Sequence, residues 1–351
     1  MKIGIVGCGT ISGHHLRAVS DYPGSEIVGL VDSDGARARA QAERFAVPHT
    51  FDKLAPLLAL EPDVVHVLTP PDSHARLVIE ALEAGSHVYV EKPMAVTVRD
   101  CEAMIRTAAR ANRQLCVGHC WHYIPVIARA QSLIASGAAG EILQVAASFN
   151  YDVLRNPTFG TAHWSNELPG GLAEDLAVHL ASVLIWLLGA PRRTSAISRS
   201  TGQVPGAKCE DVRALLEGER GLGTLSVSLR GRPDTILIDI WCTRMLLRVN
   251  VSSMSLMIYR QLSVPQKLAR GLTNLDLAAQ LVSGTVSAAW NLLRKKVDGS
   301  YGIAPCIHAF YAALAAGAPA PIDPREGVQA VEVLRELWPV ADLPAGLAAS
   351  G

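Results

Sequence analysis

An excess of charge of either sign is missing from this 351-residue chain, in which 32 lysines and arginines stand against 32 aspartates and glutamates. It also has no basic run or stripe that would neutralise a phosphate backbone, which excludes nucleic acid as a partner. Uninterrupted apolar stretches of membrane-spanning length are absent too. The two longest, Leu176 to Leu188 and Leu275 to Leu293, are broken by His179 in the first and by Asp276, Gln280, Ser283, Ser287 and Asn291 in the second. A spanning helix needs about 20 predominantly apolar residues, so no integral membrane segment is expected. The first apolar strand starts at Lys2, with no space ahead of it for a charged and apolar leader. The expectation is a cytoplasmic protein. Cysteine is sparse and odd in number: Cys8, Cys101, Cys116, Cys120, Cys209, Cys242 and Cys306 lack the spacing of a disulfide framework and read as reduced thiols.

Apolar content, by contrast, is high. Hydrophobic residues make up 49% of the chain and the mean hydropathy is +0.23, which points to apolar surface buried between subunits and to a homodimer or homotetramer. The length suits two domains of ordinary size.

Up to about residue 120, short β-branched runs alternate with helical periods. Lys2 to Val6, Glu26 to Val31, Val64 to Leu68, His87 to Val90 and Gln114 to Val117 read as strands; His14 to Val19, Ala36 to Phe45, Ser73 to Ala84 and Val98 to Ala111 read as helices. That order predicts right-handed crossovers and a doubly wound parallel sheet. Beyond a helix at Pro125 to Ser136, the pattern changes. Ile142 to Phe149, Arg192 to Ser198, Val212 to Leu216, Gly223 to Leu229, Thr235 to Cys242 and Met245 to Val251 are separated by short turns, an antiparallel signature. The helix Leu172 to Leu188 interrupts them and must pack on one face, and helices follow at Asn274 to Leu293, Pro305 to Ala316 and Pro324 to Leu337. The fold class is therefore α/β: a Rossmann-type domain over 1–120, then an α+β domain over 121–351 with an open, mostly antiparallel sheet.

Gly7-Cys8-Gly9-Thr10-Ile11-Ser12 follows a strand and opens a helix. In that context the first glycine makes the tight turn, the second lets backbone approach a pyrophosphate, and the helix N-terminus offers free N–H groups. Asp32 ends the second strand, where a carboxylate accepts hydrogen bonds from the adenine ribose hydroxyls and would repel a 2′-phosphate. NAD is the expected cofactor; Ser33, Arg37 and Arg39 beside it leave NADP open. Thr69-Pro70-Pro71 with His74 ends another strand of the same sheet and is expected to flank the cofactor.

Glu91-Lys92-Pro93 ends a further strand, so Lys92 projects at the same carboxyl edge, where an ammonium can polarise a carbonyl or shuttle a proton. Pro93 would hold it rigidly, a cis bond being one way to do so. In Gly170-Gly171-Leu172-Ala173-Glu174-Asp175-Leu176-Ala177-Val178-His179 a glycine turn opens a helix, and Asp175 and His179, four apart, share one face. A neutral imidazole there can take a hydroxyl proton while hydride leaves the same carbon.

Together these segments resemble the Gfo/Idh/MocA family of oxidoreductases, which includes inositol dehydrogenases and glucose-fructose oxidoreductase; Thr69-Pro70-Pro71-x-x-His74 and the turn from Gly137 to Glu141 are similar to family segments as well. The resemblance implies a Rossmann domain with Gly7, Gly9, Thr10, Ile11, Ser12, Asp32, Ser33, Thr69, Pro70, His74, Glu91 and Lys92 around the nucleotide. It also implies a second domain whose open sheet commonly makes a dimer interface, with Lys92, Asp175 and His179 serving proton transfer and substrate binding.

Two stretches depart from the family pattern. In place of an arginine-rich segment, this chain has Val117-Gly118-His119-Cys120-Trp121-His122-Tyr123, which argues against an anionic substrate. Trp121 and Tyr123 could stack on a sugar ring, with His119 or His122 donating to its hydroxyls. Cys116, His119, Cys120 and His122 imitate a metal cluster, but no second ligand pair at recognised spacing accompanies them, and no metal is expected. From Leu262 to Gly302, Lys267, Arg270, Arg294, Lys295 and Lys296 flank an amphipathic helix that reads as a solvated face, a lid, a subunit contact or a weak membrane contact. Tyr301, His308 and Tyr311 beyond it are candidate pocket residues. The leading reading is an NAD(P)-dependent dehydrogenase or reductase acting on a secondary alcohol or ketone of a sugar, sugar derivative or cyclitol. A redox-neutral enzyme that keeps its nicotinamide, or a nucleotide-binding regulator without turnover, are the alternatives.

Overall fold

The computed structural model describes residues 1–155, 163–293 and 302–338, the side chains of 287–293 excepted. Its first stretch builds β1 (Lys2–Val6), α1 (Ser12–Ser20), β2 (Glu26–Val31), α2 (Gly35–Phe45), β3 (Thr50–Phe51), α3 (Leu54–Leu58), β4 (Val64–Val67), α4 (His74–Glu83), β5 (His87–Val90), α5 (Val98–Ala111) and β6 (Leu115–Val117). The strands form one parallel sheet in the order β3-β2-β1-β4-β5-β6. Both faces are covered by helices, which is why β4 is buried at all four positions. The helix starts are set by side chains: the Asp34 carboxylate accepts from the N–H groups of Ala36 and Arg37, and Thr97 Oγ1 accepts from the N–H of Asp100. The connection order reverses between β1 and β4, and ligands of such sheets collect outside the carboxyl ends at that reversal. The short β3 and α3 were not predicted, because two strand residues and a five-residue helix containing Pro56 are too brief to show a period.

A second run of elements comprises α6 (Pro125–Ala135), β7 (Ile142–Asn150), α7 (Leu172–Leu188), β8 (Pro191–Arg199), β9 (Asp211–Gly218), β10 (Leu222–Ser228), β11 (Thr235–Cys242), β12 (Met245–Asn250), β13 (Ser255–Arg260) and α8 (Gln266–Leu293). Seven strands pair in the order β13-β12-β11-β7-β10-β9-β8. All pairings are antiparallel except β7 with β10, which run parallel from Gln144 opposite Leu222 to Asn150 opposite Ser228. Hairpin spacing cannot reveal that pair, since the chain leaves β7, forms α7, β8 and β9, and only then returns as β10 beside it. β13 and the first two turns of α8 also lie outside the predicted elements. Alternation along the strands turns Val212, Ala214, Leu216, Leu225, Val227, Ile238, Ile240, Leu247 and Val249 inward. α7 covers that face, with Leu184 and Leu188 lying against Gly223. On the outer face Ile197, Leu215 and Leu222 remain 79%, 64% and 61% exposed, beside an Asp239–Arg248 cross-strand pair with two contacts of 2.7 Å.

The last elements are α9 (Ile303–Ala315) and α10 (Pro324–Leu337). The chain divides into two compact units, the first holding 1–123 together with 302–331, the second 124–293 and 332–338. The boundary expected near residue 120 placed everything after it in the second domain; the structure returns α9 and the start of α10 to the first unit. The physical reason is the apolar face of α9, where Ile303, Cys306, Ile307, Phe310 and Tyr311 are all buried, while Val328 and Val331 join the core of Met94 and Val117. A helical period shows that a face must be buried but not which sheet buries it. Among the described residues no helix is long and apolar enough to cross a membrane, and all seven cysteines are free and buried.

Candidate active site

The glycine turn after β1 is built around two different demands. Gly7 has φ +96°, and a Cβ there would stand 2.8 Å from the Leu68 carbonyl carbon and 2.9 Å from both its oxygen and the Thr69 nitrogen. No side chain fits where the ends of β1 and β4 meet. Gly9 is the opposite case, since a Cβ on it would have nothing within 4 Å; its backbone is open for close approach. Ser12, fully buried, donates to the Gly9 carbonyl oxygen at 2.6 Å and closes the turn. Thr10 is exposed and Ile11 half-buried at its mouth, and α1 starts there without a side-chain cap; the N–H groups of Ser12 and His14 turn back to the carbonyl oxygens of Gly9 and Ile11, and the positive end of the helix faces the turn. The Asp32 carboxylate accepts from the N–H of Cys8 at 2.7 Å and of Asp34 at 2.8 Å, so it shapes the turn itself. Its oxygens keep acceptor capacity for ribose hydroxyls. Arg37 lies 3.7 Å from it, and Ser33 beside it is exposed. An open backbone approach, an uncapped helix start and a carboxylate at the second strand end suit a dinucleotide.

The neighbouring turn is held by Thr69 Oγ1 and Ser73 Oγ, 2.6 Å apart. His74, expected to touch the cofactor, is instead fully buried, with Nε2 2.7 Å from the Thr69 carbonyl oxygen and Nδ1 3.1 and 3.2 Å from those of Pro93 and Met94. A neutral imidazole donates from only one of these nitrogens, and the buried ring lies between the β4 turn and the β5 turn. At the end of β5 the Lys92–Pro93 bond is cis and Lys92 is half-buried. Glu91 is buried beneath it and accepts the Lys92 N–H at 3.2 Å. Burial pushes the Glu91 carboxyl up, but a hydrogen bond from His15 and the Lys92 charge outweigh it and hold the group below its usual range.

The sequence reading missed what lies behind Glu91. His15 Nε2 is 3.1 Å from Glu91 Oε1, His15 Nδ1 is 3.0 Å from His66 Nδ1, and His66 Nε2 is 2.6 Å from Tyr311 Oη. Tyr311 and His308, expected near a substrate, are therefore placed otherwise: Tyr311 is bonded inside the first unit, and His308 Nε2 faces the Ala18 carbonyl oxygen at 2.8 Å. Tyr301 lies outside the described residues. A signal existed in β4, where a histidine in Val64-Val65-His66-Val67 must find a buried partner.

The segment after β6 is enclosed as well. His119 is 1% and Trp121 6% exposed, His122 is buried, and Tyr123 is the more open of the four. Burial, then the charges of His122 and Lys92, hold His119 down to about 3, so it is a neutral ring. Neither of its nitrogens has a hydrogen-bond partner among the described residues. His122 Nδ1 stands 4.0 Å from Glu326 Oε2, whose carboxyl burial and Asp323 push up to about 7. Among the described residues no group of three or more His, Cys, Asp or Glu side chains is placed to hold a metal ion.

In the second unit, α7 begins at Gly171, which has φ +61°. The preceding Gly170 is explained by packing rather than by a ligand: a Cβ there would fall 2.2 Å from the Trp338 ring. The Gly170 N–H donates to Glu174 Oε2 at 2.7 Å, and burial raises the Glu174 carboxyl to about 7. Lys208 Nζ binds the carbonyl oxygens of Glu167 and Leu168 at 3.1 and 2.8 Å, fixing the entry to the helix. Asp175 is buried and His179 partly open, one turn apart on one face of α7.

Residues 1–119 match the oxidoreductase family described by an NAD-binding Rossmann fold, and residues 127–248 match the GFO/IDH/MocA C-terminal domain. The chain belongs to the Gfo/Idh/MocA family of oxidoreductases. It is 31% identical over 226 residues to D-apiose dehydrogenase of Paraburkholderia graminis, covering 61% of this chain and 56% of that one. To inositol 2-dehydrogenase of Salmonella typhimurium it is 29% identical over 198 residues, or 55% and 56% of the two chains. The chain thus spans little more than half the length of these curated relatives. In fold it is similar to the WlbA dehydrogenase from Bordetella pertussis, solved with NADH and UDP-GlcNAcA, at TM-score 0.78, 22% identity and coverage of 96% and 94%. A levoglucosan dehydrogenase solved with NADH and levoglucosan has TM-score 0.77, 18% identity and coverage of 96% of each chain.

Proposed function

We propose that this chain is an NAD-dependent oxidoreductase acting on a secondary alcohol or ketone of a sugar, sugar derivative or cyclitol, its first unit holding the nucleotide and its second the substrate. The observation that carries the reading is the half-buried Lys92 at the carboxyl end of β5, next to the β1–β4 reversal and backed by a buried, ionised Glu91. Bound NAD would supply the hydride acceptor. Gly7, Gly9, Thr10, Ile11 and Ser12 would present backbone to its pyrophosphate, Asp32 and Ser33 would face its adenine ribose, and Thr69 and Pro70 would flank it.

Within this reading, His179 takes the hydroxyl proton, Asp175 orients the substrate or the imidazole, and the Lys92 ammonium stabilises negative charge on the reacting oxygen. The segment from His119 to Tyr123 carries no lysine or arginine and burial keeps His119 neutral, which suits a polyhydroxylated, uncharged substrate better than an anion. The relatives named for apiose, inositol and levoglucosan support that class. Ile197, Leu215 and Leu222 on the outer sheet face support self-association.

Mass spectrometry of small molecules released from the denatured protein, followed by nicotinamide absorbance with a panel of sugars and cyclitols, tests the proposal. An empty protein that reduces added NAD with one panel member supports the dehydrogenase. Released NAD without steady-state turnover points to a redox-neutral enzyme or a sensor. Lys92→Ala and His179→Ala should each abolish turnover and leave NAD affinity nearly unchanged; near-normal turnover in both would defeat the assignment.

A further inference from the structure

We propose that His15, His66 and Tyr311 form a buried hydrogen-bond relay that orients and polarises the Glu91 carboxylate, making them positioning residues for Lys92. The inference rests on the role given to Lys92 above.

Three elements distant in sequence supply the relay: His15 comes from α1, His66 from β4 and Tyr311 from α9, and all three side chains are fully buried. Their protons can be placed from the chemistry of the partners. An ionised carboxylate only accepts, so the His15 Nε2 that faces Glu91 Oε1 carries a hydrogen. Burial pushes His66 down and the Tyr311 phenol up. His66 therefore has one N–H, and Tyr311 keeps its O–H. Where Nε2 holds the only ring hydrogen of His15, its Nδ1 accepts and His66 Nδ1 donates across the 3.0 Å contact. That leaves His66 Nε2 to accept from the Tyr311 hydroxyl at 2.6 Å. That arrangement satisfies all three contacts, and in it every donor points toward Glu91. A hydrogen on both His15 nitrogens would reverse the contacts between His15 and Tyr311, so direction and charge in the relay are coupled.

The surroundings leave Glu91 few other charges to answer to. Besides His15 and Lys92, titratable groups that feel the Glu91 charge include His74, Tyr89, Cys120 and Cys306. Burial keeps that imidazole, phenol and both thiols neutral. At the far end, Tyr22 packs edge-on to Tyr311 with centroids 5.2 Å apart, and His308 lies 5.2 Å from Tyr22. A Cβ on Gly118 would stand 2.9 Å from Glu91 Oε1, so the carboxylate occupies space that only a glycine leaves open. Three polar side chains in an apolar core cost stability unless each is bonded, and here the bonds run in one line to the carboxylate behind Lys92.

The test uses the full chain, with His15→Leu removing the donor to Glu91 and Tyr311→Phe removing a single oxygen while keeping the ring. The pH profile of kcat/KM is measured with the sugar or cyclitol that supports NAD reduction, and the imidazole tautomers of the parent by long-range proton–nitrogen NMR on protein labelled with ¹⁵N-histidine. Activity requires Glu91 ionised and falls as pH drops through its pKa. Losing the His15 hydrogen bond lets burial raise that pKa, so the acid limb of His15→Leu should move up by about one pH unit or more, with NAD affinity unchanged. Tyr311→Phe should move it the same way by less, and the parent spectrum should show His66 as the Nδ1–H tautomer and His15 carrying Nε2–H. Profiles superimposable on the parent in both variants, with only the melting temperature lowered, would make the relay purely structural and overturn the proposal. So would an Nε2–H tautomer for His66, a result that needs no variant to fold. If Lys92→Ala retains turnover, the functional reading itself fails; if it abolishes turnover while the profiles stay put, only the relay fails.

Discussion

Gly7 and Gly9 sit two residues apart in one turn, yet alanine should act on them through different free energies. At Gly7 the methyl group meets main-chain atoms of Leu68 and Thr69 at 2.8 to 2.9 Å while φ is +96°. The unfavourable backbone region costs about 1 kcal/mol for a residue with a Cβ, and overpacking against atoms that belong to a sheet edge adds about 1–3 kcal/mol. Gly7→Ala should thus lose roughly 2–4 kcal/mol of folding stability without any ligand present. At Gly9 the methyl meets nothing within 4 Å, so the free protein should change by no more than about 0.5 kcal/mol. The methyl would occupy the surface assigned to the pyrophosphate, and NAD affinity should fall roughly tenfold to a hundredfold, or about 1.4–3 kcal/mol. Urea denaturation of both variants with and without NAD, alongside titration calorimetry, separates the two. At 100 times its Kd a ligand adds about 2.7 kcal/mol of apparent stability, and Gly9→Ala should forfeit much of that increment while matching the parent without ligand. A Gly9→Ala protein that binds NAD as tightly as the parent would refute the pyrophosphate assignment, and an equally stable Gly7→Ala protein would refute the steric one.

Asp32→Ala strands the N–H groups of Cys8 and Asp34, at a cost of about 1–3 kcal/mol in stability, and should weaken NAD more than NADP; an unchanged preference between the two cofactors, measured by titration, would count against Asp32 as the ribose ligand. Burial raises the Glu174 carboxyl from 4.5 to about 7, so between those values the folded state holds more protons than the unfolded one and stability falls as pH rises. Glu174→Gln should match the parent at pH 5 and exceed it at pH 8 by roughly 1–3 kcal/mol, and parallel pH dependences in urea melts would contradict this. Leu215→Glu on the outer sheet face should shift the sedimentation coefficient toward that of the monomer if that face joins subunits, whereas an unmoved coefficient places the contact elsewhere.

Local spacing carried most of the fold into view. Strand and helix alternation, the turn from Gly7 to Ser12, Asp32 at the end of β2 and Lys92 at the end of β5 each depend on residues close in sequence, and period and turn chemistry report on those. What stayed hidden depends on distant partners. His15 meets His66 51 residues away, and His66 meets Tyr311 245 residues away; each histidine alone carries no mark of the other. Gly170 showed no sign of its packing role, because nothing near it in sequence announces the Trp338 ring that lies on it. His74 was placed beside the cofactor because it shares a sheet edge with Thr69, but its ring turns inward to the carbonyls of Thr69, Pro93 and Met94. The parallel β7–β10 pair was concealed by the intervening α7, β8 and β9.

Because the first unit is assembled from 1–123 and 302–331, its timetable during synthesis differs from its position in the chain. The β1 to β6 sheet can emerge early, but until α9 leaves the ribosome the His66 Nε2 has no phenol to accept from, and Val328 and Val331 are not there to cover Met94 and Val117. A nascent chain halted inside the second unit therefore carries an uncapped nucleotide unit with apolar surface open to aggregation. Closure of that unit waits for residues 302–331, so its core is completed only after the strands of the second unit have been made.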